Sequence, residues 1–327
     1  MPTPKFTLDE MSEALMLKRQ LDKEAEEAPE PQYIRYADAP SILAASKNAN
    51  GATLGSALLD EIVGGIQGGE LIVVTAPTGV GKTTWCQTVT LDMLKRKIPC
   101  LWYTLEVSLA NFLTPIVGND PGAVRAADGG LQTVTDYPLY FPKDLAQLNF
   151  SALMRQIRVA RLKYGVSCVF IDHLHYLARV HEQKQRMENF SIFLGDRVRE
   201  LRRIATETGV TLFLVAHMAK TEDGARPTLA DIRDSSFVAQ EADAVFVLWR
   251  ERLKEPMLVD SLGGNGKIEE TFSPWTCLAV EKARRTGKRG QIYLLHENGL
   301  YHEATFAQIQ AMKATIQIIS PKYGRHP

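Results

Sequence analysis

The chain has 327 residues, with 38 Lys+Arg against 38 Asp+Glu and a formal net charge of zero. Hydrophobic residues at 45% and charged residues at 23% are ordinary globular proportions, which excludes wholesale disorder. No apolar run approaches the roughly 18 residues of a membrane span, so no membrane partner is expected. Zero net charge gives no sign of a nucleic-acid partner and excludes none, because a locally basic channel suffices.

The length suits one large domain with appendages, or two small domains. Cys86, Cys100, Cys168 and Cys277 are scattered without paired metal spacing and read as reduced, mostly buried thiols. Acid at Asp9, Glu10 and Glu13 is unlike a signal or transit peptide. The expectation is a cytoplasmic protein, with an organelle left open.

In chain order, residues 1–31 read as an amphipathic helix. Thr7 and Glu10 form a capping box, Leu8, Met11, Leu15 and Ala14, Leu17, Leu21 recur at helical spacing, and Pro29 and Pro31 end it. Such a helix either folds back on the core or links to another subunit. Residues 32–50 are a linker. From 51 to 304, strand-like runs at 71–75, 100–105, 168–171, 211–216 and 244–249 alternate with helical patterns at 83–95, 153–163 and 190–208. Buried apolar strands separated by helices predict an α/β fold with a mostly parallel sheet covered on both faces. Strands at 277–280 and 291–295 flank a cationic turn. Residues 262–267, within a 251–276 insertion, read as a flexible loop, and 305–327 as a tail that opens with a short helix.

The strongest motif runs from Leu71 to Thr84. A buried strand enters a loop carrying Thr78, Gly79, Val80 and Gly81, and Lys82, Thr83 and Thr84 then open a helix. That is the context of a phosphate-binding loop. Glycines let backbone N–H groups close around phosphate oxygens, the helix N-terminus adds partial positive charge, and Lys82 neutralises the β/γ-phosphates. The ligand expected is ATP or another nucleoside triphosphate, with Mg²⁺ on the Thr83 hydroxyl. Asp172 ends a strand, where a carboxylate reaches Mg²⁺ directly or through water. Glu106 ends the run 101–106, where it could take a proton from attacking water. His217 follows the next strand, as a γ-phosphate sensor or an ordinary rim histidine. His173, His175 and His181 lack accompanying cysteines or acids at a metal-site spacing, so zinc is not expected there.

These motifs, in this order, resemble the hexameric replicative DNA helicases with a RecA-like motor, the DnaB-type superfamily. The resemblance covers roughly residues 51–304. It rests on 76–84, Leu105-Glu106-Val107-Ser108, Ile171-Asp172-His173-Leu174, Ala216-His217, the stretch 226–236 running into Gln240-Glu241-Ala242-Asp243, and Glu281-Lys282-Ala283-Arg284 before Gly287. Ala76 at the first loop position is similar to DnaB itself. His217 with Asp172-His173 looks closer to phage primase–helicases and Twinkle helicase domains.

The resemblance implies a RecA-like ATPase core. Lys82 is then the phosphate lysine, Thr83 the magnesium hydroxyl, Asp172 the Walker B aspartate, Glu106 the catalytic glutamate and His217 the γ-phosphate sensor. Arg233, Asp234, Ser235 and Ser236 form the loop that follows single-stranded DNA, although the family often has glycine where Ser236 stands. Lys282 and Arg284 reach the neighbouring subunit's γ-phosphate. From the residues themselves, Lys282, Arg284, Arg285, Lys288 and Arg289 crowd one turn, which suits a solvated tip, a nucleic-acid patch or a cation delivered in trans. Trans contact is assigned to Lys282 and Arg284, and DNA contact to Lys288 and Arg289.

Residues 1–50 leave room for neither a primase module nor a helical collar, so a stripped motor is expected. Contacts to a primase, polymerase or loader then lie elsewhere or are absent. The leading function is an ATP-driven translocase on single-stranded DNA that unwinds duplex as a homo-hexameric ring. The alternatives are a recombinase-like ATPase forming filaments on single strands, and a regulatory ATP-binding protein that moves nothing. Closed rings and filaments share a head-to-tail interface and differ in whether the rotation closes.

Overall fold

A computed structural model describes residues 52–125, 131–133, 135–143, 145, 148–173, 190–218, 226–232, 235–253 and 271–315. Of the chain's two units, Met1–Ala44 lies outside the described residues, so the fold is that of Ala45–Pro327. The expected N-terminal helix and the 262–267 loop also fall outside them.

Helix α1 (Ala57–Val63) leads into β1 (Leu71–Ala76), α2 (Lys82–Lys95), β2 (Cys100–Thr104) and α3 (Leu109–Gly118). A short hairpin, β3 (Ala123–Arg125) with β4 (Leu131–Thr133), precedes β5 (Leu139–Tyr140), α4 (Phe150–Tyr164) and β6 (Cys168–Asp172). Next come α5 (Phe190–Thr208), β7 (Thr211–His217), α6 (Ser235–Glu241) and β8 (Ala244–Trp249). A ribbon of β9 (Arg252–Leu253) and β10 (Thr271–Phe272) follows, then β11 (Trp275–Ala283), β12 (Gly290–Glu297), β13 (Leu300–Glu303) and α7 (Phe306–Thr315).

Nine strands form one sheet in the order β13-β12-β11-β8-β1-β7-β6-β2-β5. From β8 to β5 all neighbours are parallel, whereas β11, β12 and β13 add an antiparallel edge. The period of two along β1 divides its apolar side chains between two cores. Ile72, Val74 and Ala76 join Leu59 of α1, Trp85 and Val89 of α2, and Phe112 of α3. Leu71 and Val73 join Leu153 and Ile157 of α4 and Val198 and Leu201 of α5. A buried aromatic row crosses the first face: Trp102 stacks on Phe170 at 4.7 Å and Phe170 on Phe213 at 4.5 Å. These contacts follow the register that pairs Trp102 with Phe170 and Phe170 with Phe213. Each such pair contributes about 0.5–1.5 kcal/mol beyond area burial.

The strand ends differ slightly from the sequence expectation. β6 and β7 each run one residue further, so Asp172 and His217 are themselves the last strand residues. β2 instead stops at Thr104: Leu105 N donates to Asp172 O at 2.8 Å, and the chain then bends toward Ser108, whose side chain caps α3. Glu106 therefore sits on a bend past the strand rather than at its end. No described helix is long and apolar enough to cross a membrane.

Candidate functional site

The loop after β1 is shaped by two glycines in the left-handed region, Gly79 at φ 80° and Gly81 at φ 101°. Gly81 has a second constraint, because a Cβ there would lie 2.3 Å from the hydroxyl of Tyr301. Tyr301, on β13, donates to Val80 O at 2.7 Å and shares a hydrogen bond with Thr276 Oγ1 at 3.1 Å. The antiparallel edge of the sheet thus braces the loop. Thr78 and Gly79 are exposed at its tip, with Val80 half-buried beside them.

Lys82 opens α2 and is buried, its Nζ donating to the carbonyls of Ala76 and Pro77 at 3.2 and 3.4 Å. Burial pushes the ammonium below the usual lysine range, against the attraction of Asp172 and Glu106. Thr83 Oγ1 donates to Asp172 Oδ2 at 2.6 Å, and Thr84 follows within the same first turn. Burial raises the Asp172 carboxyl to about 6, opposed by the Thr83 hydrogen bond, reinforced by Glu106 and opposed by Lys82. The other oxygen, Asp172 Oδ1, is buried without a hydrogen-bond partner. A buried orphan carboxylate oxygen beside a threonine hydroxyl is an all-oxygen donor set, which fits a hard cation such as Mg²⁺.

The tips of β1, β7, β6 and β2 are neighbours in the sheet. That order brings the phosphate loop, His217, Asp172 and Glu106 to one rim. His173 joins them: its Nε2 lies 3.6 Å from Glu106 Oε2, and its ring meets that of His217 edge to face at 4.0 Å. His175 and His181 lie outside the described residues.

Arg284 and Lys282 sit elsewhere. Ala283 pairs with Ala244 at the start of β8, and Arg284 N donates to Asp243 O. This is the end of the sheet where β1 begins, since Leu71 N donates to Asp243 Oδ2. At about 3.3 Å per residue, β1 separates that end from the subunit's own phosphate loop by about 16 Å. There Arg284 donates to Gln240 O at 2.7 Å and pairs with Asp243 at 3.4 Å, and Lys282 donates to Gln240 O at 3.0 Å. Arg202 also pairs with the buried Asp243.

Arg285 and Lys288 turn toward α1. Arg285 donates to Val63 O and Gly65 O, and Lys288 pairs with the exposed Glu61 at 3.2 Å. Arg289 is exposed. Arg233 and Asp234 lie outside the described residues, and Ser235 and Ser236 open α6. Just before them, Ile232 bridges to Met218, the residue after His217.

Sequence reasoning gave no role to His173 beside Glu106, to Tyr301 or to Asp243. Asp243 closes the Gln240-Glu241-Ala242-Asp243 motif, so a signal existed. Tyr301 had none.

The DnaB-like helicase C terminal domain model matches residues 51–302. The replicative DNA helicase DnaB of Treponema pallidum is 26% identical over 234 residues, covering 67% of this chain and 52% of that protein. The DnaB of Helicobacter pylori strain 26695 is 25% identical over 266 residues, covering 75% and 53%. The chain thus spans about half the length of the curated relatives it matches. Among solved structures, the ATPase domain of G40P superposes with a TM-score of 0.62 at 18% identity, covering 82% of this chain and 96% of that one. A DnaB-like replicative helicase, described with its interactions with primase, gives 0.58 at 16% identity, covering 87% and 70%. These structural likenesses carry the RecA-like helicase ATPase fold. The family match covers most of the chain, which belongs to the DnaB-like helicase C-terminal domain family.

Proposed function

We propose that the chain is the motor of a replicative DNA helicase, an ATP hydrolase that translocates on single-stranded DNA and unwinds duplex as a homo-hexameric ring in the cytoplasm. The observation that carries the reading is the convergence of Lys82, Thr83, Asp172, Glu106 and His217 on adjacent strand tips, with Arg284 at the sheet's other end. Family membership favours this reading over the recombinase-like filament and the regulatory binder.

Thr78 to Thr84 enclose the triphosphate, and Lys82 places its charge against the β/γ-phosphates. Thr83 and Asp172 would hold Mg²⁺, which would supply neutralising charge for the phosphoryl oxygens. Glu106 orients a water and accepts its proton as the water oxygen bonds to the γ-phosphorus and the bond to the bridging oxygen breaks, releasing ADP. Arg284, aided by Lys282, serves a neighbour's phosphate, because a head-to-tail ring sets one subunit's surface over the next subunit's pocket. His217 contacts the γ-phosphate, and the Met218–Ile232 bridge relays its loss to the DNA-following segment Arg233 to Ser236. Lys288 and Arg289 add phosphate contacts outside that segment. The primase interactions described for a solved relative make primase the first partner to test, ahead of a polymerase or a loader.

The test is ATP turnover with and without single-stranded DNA. Wild type should be stimulated by single strands in Mg²⁺, Lys82→Ala should lose turnover, and Glu106→Gln should bind ATP without hydrolysing it. Near-normal turnover by Glu106→Gln would overturn its role as base, and absence of DNA stimulation would overturn the motor.

A further inference from the structure

Three side chains from distant parts of the sequence meet at the rim. Glu106 comes from the bend after β2, His173 from the residue after β6, and His217 from the end of β7. Their ligand-capable atoms all lie within 4.8 Å of one another. We propose that Glu106, His173 and His217 bind a zinc-class divalent cation in the nucleotide-free subunit, and that the bound ion blocks ATP hydrolysis.

Two imidazoles and one carboxylate are a donor set used by three-ligand zinc sites, which keep a fourth position for water or an anion. With ligand bonds of about 2.0–2.1 Å, tetrahedral zinc sets its donor atoms roughly 3.3 Å apart. The Glu106–His173 separation of 3.6 Å is already near that value. His217 is held at the end of β7 by its pairing with Ala76 of β1, and His173 directly follows the last residue of β6, the strand beside β7. Their rings meet at 78°, which avoids a face-to-face stack that would seal the site. The Glu106 side chain is 49% exposed on its bend, which gives an ion its way in.

This set differs in hardness from the oxygen donors of Thr83 and Asp172. Magnesium, which keeps waters and prefers oxygen, belongs with the latter; zinc accepts imidazole readily. One pocket therefore holds two cation sites of different selectivity, side by side. Blocking follows from the ligands' other duties and rests on the reading above. A Glu106 carboxylate bound to a cation cannot accept the proton of water, and a ligated His217 cannot meet the γ-phosphate.

The test uses the full chain, stripped with chelator and titrated with Co²⁺ as an optical stand-in for zinc. One equivalent should give the intense visible bands of four- or five-coordinate Co²⁺, and Zn²⁺ should bleach them. His173→Ala and His217→Gln should each weaken Zn²⁺ binding at least tenfold, roughly the scale at which lost site residues tell. His302→Ala, removing an exposed histidine on β13, should leave it unchanged. Thermal melts identify any variant that fails to fold, and Glu106→Gln then supplies an independent ligand deletion. A weak spectrum of fully hydrated Co²⁺, or affinity indifferent to all three ligand changes, would overturn the site.

Turnover in excess Mg²⁺ tests the block. Zn²⁺ should lower wild-type turnover at least tenfold at the concentrations that bleach the Co²⁺ bands, and chelator should restore it. Binding without inhibition would overturn the block. Failure of Glu106 as the base would instead appear as near-normal turnover by Glu106→Gln in metal-free Mg²⁺ buffer, a separate result.

Discussion

Replacing Asp172 by Asn should stabilise the nucleotide-free protein relative to wild type as pH rises. Burial lifts the Asp172 carboxyl from 3.8 to about 6. Between those values the native state holds a proton that the unfolded chain has released, so wild-type stability falls as pH rises through that window. A gap of about two pH units, at about 1.36 kcal/mol each, makes the whole effect about 3 kcal/mol. At pH 5 wild type should retain about 1.4 kcal/mol more of this contribution than at pH 8. Asn does not titrate. Its amide N–H in the place of the unpartnered Oδ1 brings a cost of about 1–3 kcal/mol that does not vary with pH. The stability difference, Asn minus Asp, should therefore rise by about 1.4 kcal/mol from pH 5 to pH 8 whatever its offset. Urea unfolding in EDTA without nucleotide reads it through the fluorescence of Trp85, Trp102, Trp249 and Trp275, all buried. A difference that stays flat across this range would refute the assignment of a proton-holding, desolvated carboxylate at this position.

Gly81→Ala should cut nucleotide affinity at least tenfold, from a left-handed backbone that costs about 1–2 kcal/mol with a side chain and a clash with the Tyr301 hydroxyl. Adding Tyr301→Phe should recover part of the loss in a fluorescent-nucleotide titration; no recovery would place the fault elsewhere. Subunits carrying Glu106→Gln and subunits carrying Arg284→Ala should each be nearly inactive, and mixing them under subunit exchange should restore part of the ATPase. A mixture of Lys82→Ala with Glu106→Gln, both lesions in one pocket, should restore none. Deleting residues 1–31 should leave a folded core and weaken ring assembly, read by light scattering; an unchanged hexamer would mean the segment does not link subunits.

The phosphate loop was legible because its chemistry is local: Gly79, Gly81, Lys82 and Thr83 stand within one strand–turn–helix. Asp172 and His217 were legible as the ends of apolar runs, since a buried parallel strand has to stop where a charge or imidazole meets the rim. Glu106 was found by the same logic, with the strand before it carried one residue too far because hydrophobic pattern does not register a bend. The meeting of Glu106, His173 and His217 was not legible, because it depends on the strand order β7-β6-β2. The same holds for Arg284. Its distance from the subunit's own loop follows from β11 running antiparallel to β8, and periodicity carries no strand direction. The pairing of Lys288 with Glu61 was likewise not legible, because it joins segments far apart in sequence. Tyr301 braces the phosphate loop through one hydroxyl, and a lone tyrosine near a strand start gives no sequence signal.

Strand displacement from a forked duplex separates a translocating motor from an ATPase that moves nothing. Wild type assembled on a fork with a single-stranded tail should release the annealed strand in Mg²⁺ and ATP. Lys82→Ala and Glu106→Gln should bind the same fork and release nothing. If wild type hydrolyses ATP on the fork, under conditions where it is bound and assembled, and yet displaces no strand, the chain is not a translocating motor.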